Sequence, residues 1–276
     1  MRRAIFLVML LSLSLHGAPR RYSGRGLVLA VDLNARTITV SHDQIAGFME
    51  PMVMTLKVAD PKLLNGLARG ARIYFRLAVE RDRSILDHVL RVSADPVDPA
   101  KWQEPVVSRV TPIGEPVPDF RLTDQAGNPV SLSQFRGKVV VVTFIYTRCP
   151  LPDYCPRMTA NFSALRQRFT LFMGKDLVLL SVTFDPEHDT PQVLLEYARA
   201  RGANIQGWHF LTGTKQEITR VAGLFGLEYW PDQGLFTHNL QTALVDRGGR
   251  LAATVEGKDY TAAQLGDLVE RLLQEP

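Results

Sequence analysis

The sequence predicts two fold classes in one chain, a small all-β, OB-like barrel followed by an α/β domain. Three observations carry this. Residues 23–93 read as a succession of short strands, residues 94–118 hold six prolines (Pro96, Pro99, Pro105, Pro112, Pro116 and Pro118), and beyond them continuous apolar strands alternate with helical stretches. With 276 residues, 46% of them hydrophobic and 22% charged, the chain has ordinary globular composition and room for two modest domains.

The first eighteen residues form a unit of their own. Met1-Arg2-Arg3, an apolar stretch from Ala4 to Leu15 and then Gly17-Ala18 read as a secretory signal or an uncut N-terminal anchor. The stretch is short for a comfortable bilayer crossing. The body of the protein is therefore expected in the periplasm or another extracytoplasmic space, touching a membrane only through that leader. A net charge of +4 without runs of like charge gives no support to nucleic-acid binding.

The barrel is expected over 22–93. Its strands are Leu27 to Val31, Thr37 to Val40, Met52 to Val58, Arg72 to Leu77 and Val89 to Val92, with a hairpin turn at Asp32-Leu33-Asn34-Ala35 and one short helix between Asp60 and Leu67. Five strands in so short a span suggest a closed barrel of the OB type. The proline-rich segment, 94–115, is expected to be an extended, stiff linker that lets the domains reorient.

The second domain is expected over 116–276. Buried strands at Lys138 to Tyr146 and Leu177 to Phe184 imply a sheet covered on both faces. Helices are expected at Met158 to Met173, Gln192 to Arg201, Gln216 to Phe225 and Ala262 to Gln274, with a short strand at Trp208 to Leu211 and a hairpin around Asp246-Arg247-Gly248-Gly249. This order of elements is that of a thioredoxin-like α/β layer.

Cys149 and Cys155 are the only cysteines. In an exported chain such a pair is ordinarily a structural disulfide. Here they fall at the C-terminal end of the first central strand, leading into a helix, where backbone donors and the helix dipole favour a thiolate. Five residues separate them, Pro150-Leu151-Pro152-Asp153-Tyr154, so the loop lets both sulfurs point at one centre and suits metal bridging better than rapid dithiol exchange. Thiolates are soft donors that select Cu(I) or Zn. Two sulfurs leave a site incomplete. Of the histidines in this domain, His209 lies inside an apolar strand and His188 in a charged turn, whereas His238, ahead of the strand Thr242-Ala243-Leu244-Val245-Asp246, can face the cysteine loop.

The run Thr143-Phe144-Ile145-Tyr146-Thr147-Arg148-Cys149-Pro150, then Cys155-Pro156-Arg157-Met158, Asp185-Pro186 and His238 before Thr242 resembles the SCO (SenC/PrrC-like) family of copper chaperones over residues 112–274. The resemblance implies a thioredoxin fold in which Cys149, Cys155 and His238 bind one copper ion, as Cu(I) or Cu(II). It also implies delivery of copper to the copper-site subunit of a respiratory oxidase or another cuproenzyme, with a donor protein upstream. Asp153 and Asp185 correspond to supporting acidic positions. The chain departs from the family in its loop, where five residues stand in place of three.

A second soft-donor cluster lies in the barrel. His42-Asp43-Gln44-Ile45-Ala46-Gly47-Phe48-Met49-Glu50-Pro51-Met52-Val53-Met54 carries three of the seven methionines. Met52 and Met54 project from one face of a strand, and thioethers favour Cu(I). Methionines at such spacing also serve simply to fill a core. The segment resembles the periplasmic copper-binding domain of the CusF type, in which a histidine, a Met-x-Met pair and a capping aromatic hold Cu(I). That resemblance implies His42, Met52 and Met54 as ligands. No tryptophan stands at the capping position, and Phe48 and Met49 occupy its neighbourhood, so either Met49 serves as a fourth donor or a different cap stands there.

The sequence therefore reads as a copper-handling protein rather than an enzyme. The principal alternative is a thiol–disulfide reductase acting on the cysteines of a copper-site apoprotein, with Cys149 attacking and Cys155 resolving. A peroxidase of the peroxiredoxin type is weaker, because Phe144-Ile145-Tyr146-Thr147-Arg148 stands where Pro-x-x-x-Thr is usual. A purely structural disulfide explains neither the histidine nor the methionines.

Overall fold

The computed structural model describes residues 19–79, 84–91, 110–232 and 235–275. The expected leader at 1–18 and most of the linker, 94–109, lie outside the described residues. None of the described helices is long and apolar enough to cross a membrane.

Five strands close the barrel: β1 (Arg20–Asp32), β2 (Thr37–His42), β3 (Met52–Val58), β4 (Arg72–Val79) and β5 (Ser84–Arg91), in the order β1-β2-β3-β5-β4. Closure depends on β1. Its first half pairs with β4 and its second half with β2, and a register shift between Val28 and Ala30 bends it between the two. Gly26 stands at the crossover, where a Cβ would lie 2.6 Å from the Ser41 carbonyl oxygen. Val28, Ile38, Val40, Leu56, Ile73 and Phe75 fill the interior. The β1–β2 turn is held by Asp32 Oδ1, which accepts from the Ala35 amide at 2.8 Å. The expected short helix is a 3-10 turn at Pro61–Leu64, capped by Asp60.

The second domain is built on a seven-stranded sheet. Its members in chain order are β6 (Arg121–Asp124), β7 (Pro129–Ser131), β8 (Val139–Ile145), β9 (Leu177–Thr183), β10 (Trp208–Thr212), β13 (Gln241–Val245) and β14 (Leu251–Glu256), arranged β14-β13-β8-β9-β10-β6-β7. A separate hairpin pairs β11 (Tyr229–Asp232) with β12 (Leu235–His238). Every residue of β8 and β9 is buried, which is why both read as unbroken apolar runs. They run parallel, as do β9 and β10, while β13 is antiparallel to β8.

Helices α1 (Cys155–Arg168), α2 (Pro191–Ala200), α3 (Lys215–Leu224) and α4 (Ala262–Gln274) complete the layers. Thr190, Thr214 and Thr261 accept from the backbone as N-caps of the last three, and the latter two form full capping boxes with Glu217 and Gln264. Helix α1 departs from expectation at both ends. It begins at Cys155, because Pro156 in the first turn forfeits no intrahelical bond, and it ends at Arg168, so Cys155 belongs to the helix and Met173 lies beyond it, bridged to Leu177.

The two domains share a seam, which corrects the expectation that the linker lets them reorient. Leu27 and Leu29 of β1 join the core of the second domain while Val28 between them stays in the barrel core. Around them Arg69 pairs with Glu275 at 2.7 Å, Arg72 with Asp259 at 3.2 Å, and Ser41 donates to Asp267 at 2.6 Å. Gly70, at φ +88, is so close to β14 that a Cβ would lie 2.1 Å from the Thr254 carbonyl oxygen. Gly70→Ala is expected to cost about 1–3 kcal/mol through this clash and the left-handed backbone. Urea unfolding of the full chain checks it, and an unchanged midpoint would show that the seam tolerates separation there.

Candidate metal centres

The first centre is assembled where β8 ends. Thr147 donates through its amide (3.0 Å) and its hydroxyl (2.5 Å) to the Asp189 carboxylate, which is 0% exposed and also accepts from Thr183 Oγ1 at 2.5 Å. Arg148 Nε donates to Asp185 at 2.6 Å. Two residues immediately before Cys149 are thus tied to the loop after β9. Asp185 supports the cysteine loop through Arg148, and Asp189 is a support that the sequence reading did not single out.

Cys149 is half-buried and Cys155 buried, both as free thiols. The residue before α1, Tyr154, offers no side-chain cap. The Cys149 sulfur lies against the first residue of the helix. The Cys155 thiol, the His238 ring and the backbone at Leu151 and Cys155 all hydrogen-bond to it, and against the opposing effect of burial they hold its thiol down at about 4. Cys155 is pushed well above the usual thiol range, by burial first and by its negative neighbour second.

His238 arrives from the far end of β12. Its Nδ1 donates to the Asn239 carbonyl at 2.7 Å, which leaves Nε2 as the atom available to Cys149. Asn239 in turn fixes the hairpin, accepting from the Glu228 amide and donating to the Gly226 carbonyl, both at 2.9 Å. Phe184 lies 4.7 Å from the imidazole, ring centre to ring centre, and Tyr146 and Tyr154 each 5.9 Å. This aromatic collar was not foreseen, since aromatics near strand ends carry no signal beyond packing. The structure thus places both the Cys155 thiol, from the same loop, and the His238 ring, from a segment far along the chain, against the Cys149 sulfur. It gives Asp153 a different place from the expected one: its side chain is 70% exposed and pairs with Arg157 at 3.9 Å on the outer edge of the loop. His188 sits beside Asp189 at 3.1 Å and His209 beside Asp124 at 3.6 Å, both serving local contacts.

The second centre lies at one end of the barrel. His42, the last residue of β2, stands opposite Met52, the first of β3, and Val40 opposite Met54. Opposed residues share a face, so His42, Met52 and Met54 point to the same side. His42 is 2% exposed; its Nδ1 donates to the Asp43 carbonyl at 2.7 Å, and its Nε2 is buried without any hydrogen-bond partner. A buried lone pair left unused costs about 1–3 kcal/mol, which a ligand would offset. Met52 is 52% exposed and so fills no core, whereas Met54, Met49 and Phe48 are half-buried against the barrel interior. The Ile45–Met49 turn, closed by reciprocal backbone bonds of 2.9 and 3.0 Å, carries Met49 back toward the strands. Phe48 stacks on Tyr22 with ring centres 4.4 Å apart.

Comparison with known proteins finds two family matches. Residues 112–274 match the SCO1/SenC family model, and residues 21–90 match that of the copper binding periplasmic protein CusF. The SCO1 protein homolog of Bacillus subtilis is 34% identical over 112 residues, 40% of this chain and 56% of the relative. Protein sco1 of Schizosaccharomyces pombe is 30% identical over 154 residues, 53% of this chain and 56% of the relative. The chain therefore spans a little over half the length of these two proteins. A SCO2-like protein of Rickettsia prowazekii is 30% identical over 175 residues, covering 59% of this chain and 78% of the relative. Among solved structures, Arabidopsis thaliana ScoI with copper bound superposes with a TM-score of 0.52 at 25% identity, over 59% of this chain and all (100%) of that one. BsSco, described as a member of the Sco family of cytochrome c oxidase assembly proteins with a disulfide switch, gives 0.52 at 26% identity over 60% of this chain and 98% of its own.

The opposite shifts of the two thiols make a reactivity test. At pH 6 Cys149 is above its lowered value of about 4 and is a thiolate, whereas Cys155, raised, is still protonated. Iodoacetamide is expected to label Cys149 alone, at a rate nearly flat from pH 6 to 8, where an ordinary thiol speeds up about tenfold per unit. Mass spectrometry of the labelled peptides reads the outcome; equal labelling of both would contradict the assignment.

Proposed function

This chain belongs to the SCO1/SenC family, and from that premise we propose that it is an extracytoplasmic copper metallochaperone with two loading sites. The observation that supports the reading is that the Cys155 thiol and the His238 ring both reach the Cys149 sulfur just beyond the end of β8. Two sulfurs and one imidazole form a soft donor set suited to Cu(I), and the imidazole leaves the site able to accept Cu(II). Uptake converts the raised Cys155 thiol into a thiolate, so copper displaces its proton. His42, Met52 and Met54, with Met49 as a fourth donor, form the second site, whose neutral thioethers favour Cu(I). Copper passes onward by ligand exchange, each donor of the acceptor replacing one of the chaperone's.

The client is the copper-site subunit of a respiratory oxidase, a reading supported by the cytochrome c oxidase assembly role stated for the Sco family of BsSco. A periplasmic setting is supported by the leader-like residues 1–18 and by the match to the periplasmic protein CusF. A thiol–disulfide reductase remains the second reading, favoured specifically by the lowered Cys149 thiol beside the protonated Cys155. In that scheme the Cys149 thiolate attacks a client disulfide, and Cys155 then gives up its proton and resolves the mixed disulfide, leaving the client reduced and this pair oxidised.

Metal analysis of the reduced protein separates these readings. The wild type is expected to hold one equivalent of copper at each site, Cys149→Ser to lose the first and Met52→Leu/Met54→Leu the second. His238→Ala is expected to lower copper retention at the cysteine site at least tenfold while dithiol exchange persists. Full copper retention in His238→Ala would remove the imidazole from the ligand set and favour the reductase.

A further inference from the structure

The peptide neighbours of His42 are held from the other domain. Gln264, in the first turn of α4, is 6% exposed and makes contacts with both ends of its carboxamide. Its Oε1 accepts from the Thr261 amide at 2.9 Å, closing the capping box. Its Nε2 crosses the seam and donates to the Ser41 carbonyl and to Asp43 Oδ1, each at 3.2 Å. One turn further on, Asp267 accepts from Ser41 Oγ at 2.6 Å. The orientation of the amide is fixed, since a flip would set its NH2 against a backbone N–H and its oxygen against two acceptors.

Asp43 is the residue whose carbonyl accepts from His42 Nδ1 and so selects the tautomer that leaves Nε2 open. Arg25 holds the other carboxylate oxygen of Asp43 at 2.5 Å. Gln264 and Asp267 on one side and Arg25 on the other therefore fix the Ser41-His42-Asp43 backbone, and with it the direction of the imidazole. Docking as such does not require the carboxamide, because Leu27, Leu29 and the Arg69–Glu275 pair already join the domains.

We propose that Gln264 is a positioning residue for His42, so that the His/Met site of the barrel is completed by a side chain of the thioredoxin-like domain. The inference rests on the copper reading of that site. Partners that orient a ligating histidine through its second nitrogen typically change metal affinity 10–100-fold when removed.

The test uses the full chain carrying Cys149→Ser and Cys155→Ser, so that only the barrel site takes up Cu(I), with affinity measured by competition against a chromophoric Cu(I) chelator. Gln264→Ala is expected to weaken binding about tenfold, and Gln264→Met, which keeps the volume of the side chain, does the same if alanine unsettles the seam. Thr261→Ala serves as the control: it removes the hydroxyl that accepts from the Gln264 amide at 3.2 Å but spares the carboxamide and its reach across the seam. It is expected to retain the parent affinity. In the metal-free protein, ring 15N shifts of His42 are expected to report one Nδ1–H tautomer in the parent and in Thr261→Ala, and a mixture in the Gln264 variants. Parent-like affinity and a single tautomer in both Gln264 variants would overturn the proposal, as would an equal loss in Thr261→Ala. If the parent takes up no Cu(I), or His42→Ala leaves its uptake unchanged, the copper reading of the barrel fails instead, and the tautomer comparison alone then decides whether Gln264 positions His42.

Discussion

The carboxylate of Asp189 accepts from the Thr147 amide, the Thr147 hydroxyl and the Thr183 hydroxyl while fully buried, and in doing so it fixes the turn by which the chain leaves β8. A buried carboxylate is tolerated only when its lone pairs are occupied, and hydrogen bonds to a charged group contribute about 1.5–3 kcal/mol each. The neighbouring Arg148–Asp185 pair fixes the next residue. With Thr147 and Arg148 immobilised, the Cys149 sulfur is left at the start of α1, where backbone donors, the Cys155 thiol and the His238 ring meet it. The chemistry open to the sulfur follows from that position, because thiolates serve both as metal ligands and as nucleophiles.

The two histidines solve one problem in the same way. Each donates Nδ1–H to the carbonyl of the following residue, His42 to Asp43 and His238 to Asn239, both at 2.7 Å, and each thereby presents Nε2. The donors around them differ. At His238 the companions are anionic or ionisable sulfurs within an aromatic wall, and at His42 they are neutral thioethers, one of them open to solvent. Neutral donors hold a soft cation more loosely than thiolates do. On the copper reading, the barrel is thus the weaker, more accessible holder and the cysteine site the tighter one, which gives passage between them a downhill direction.

Much of this was legible in the sequence, for identifiable reasons. Buried parallel strands announce themselves as unbroken apolar runs, so β8 and β9 were plain, and the helical stretches marked α2, α3 and α4 to within a residue or two. Strands β6, β7, β11 and β12 were missed because they are three or four residues long and two of them contain proline, Pro129 and Pro231, which argues against a strand when neighbours are unknown. The cysteines, His238, His42 and the methionines stood out because their residue types carry chemistry. Asp189 and the collar of Tyr146, Tyr154 and Phe184 did not, since their part depends on contacts across the fold. Asp153 was drawn in by its closeness in sequence to Cys155, but it lies in the turn before α1 with its side chain 70% exposed, beside Arg157 at 3.9 Å.

The seam between the domains was the least legible feature, and it changes how the chain is understood as a whole. Its ion pairs lie partly in solvent, where each contributes about 0–1 kcal/mol, so they select register more than they hold the domains together. The holding falls to Leu27 and Leu29, whose complete burial is worth roughly 1.5–3 kcal/mol apiece. Both sit on the same strand as Val28, which points the other way into the barrel. A strand that serves two cores cannot leave one without disturbing the other, because β1 also supplies both halves of the barrel's closure. The proline-rich connection is therefore not what sets the relation of the two sites. Strand β1 and the first turn of α4 set it, and any handover of metal between the sites has to proceed with that seam in place or bear the cost of exposing the two leucines.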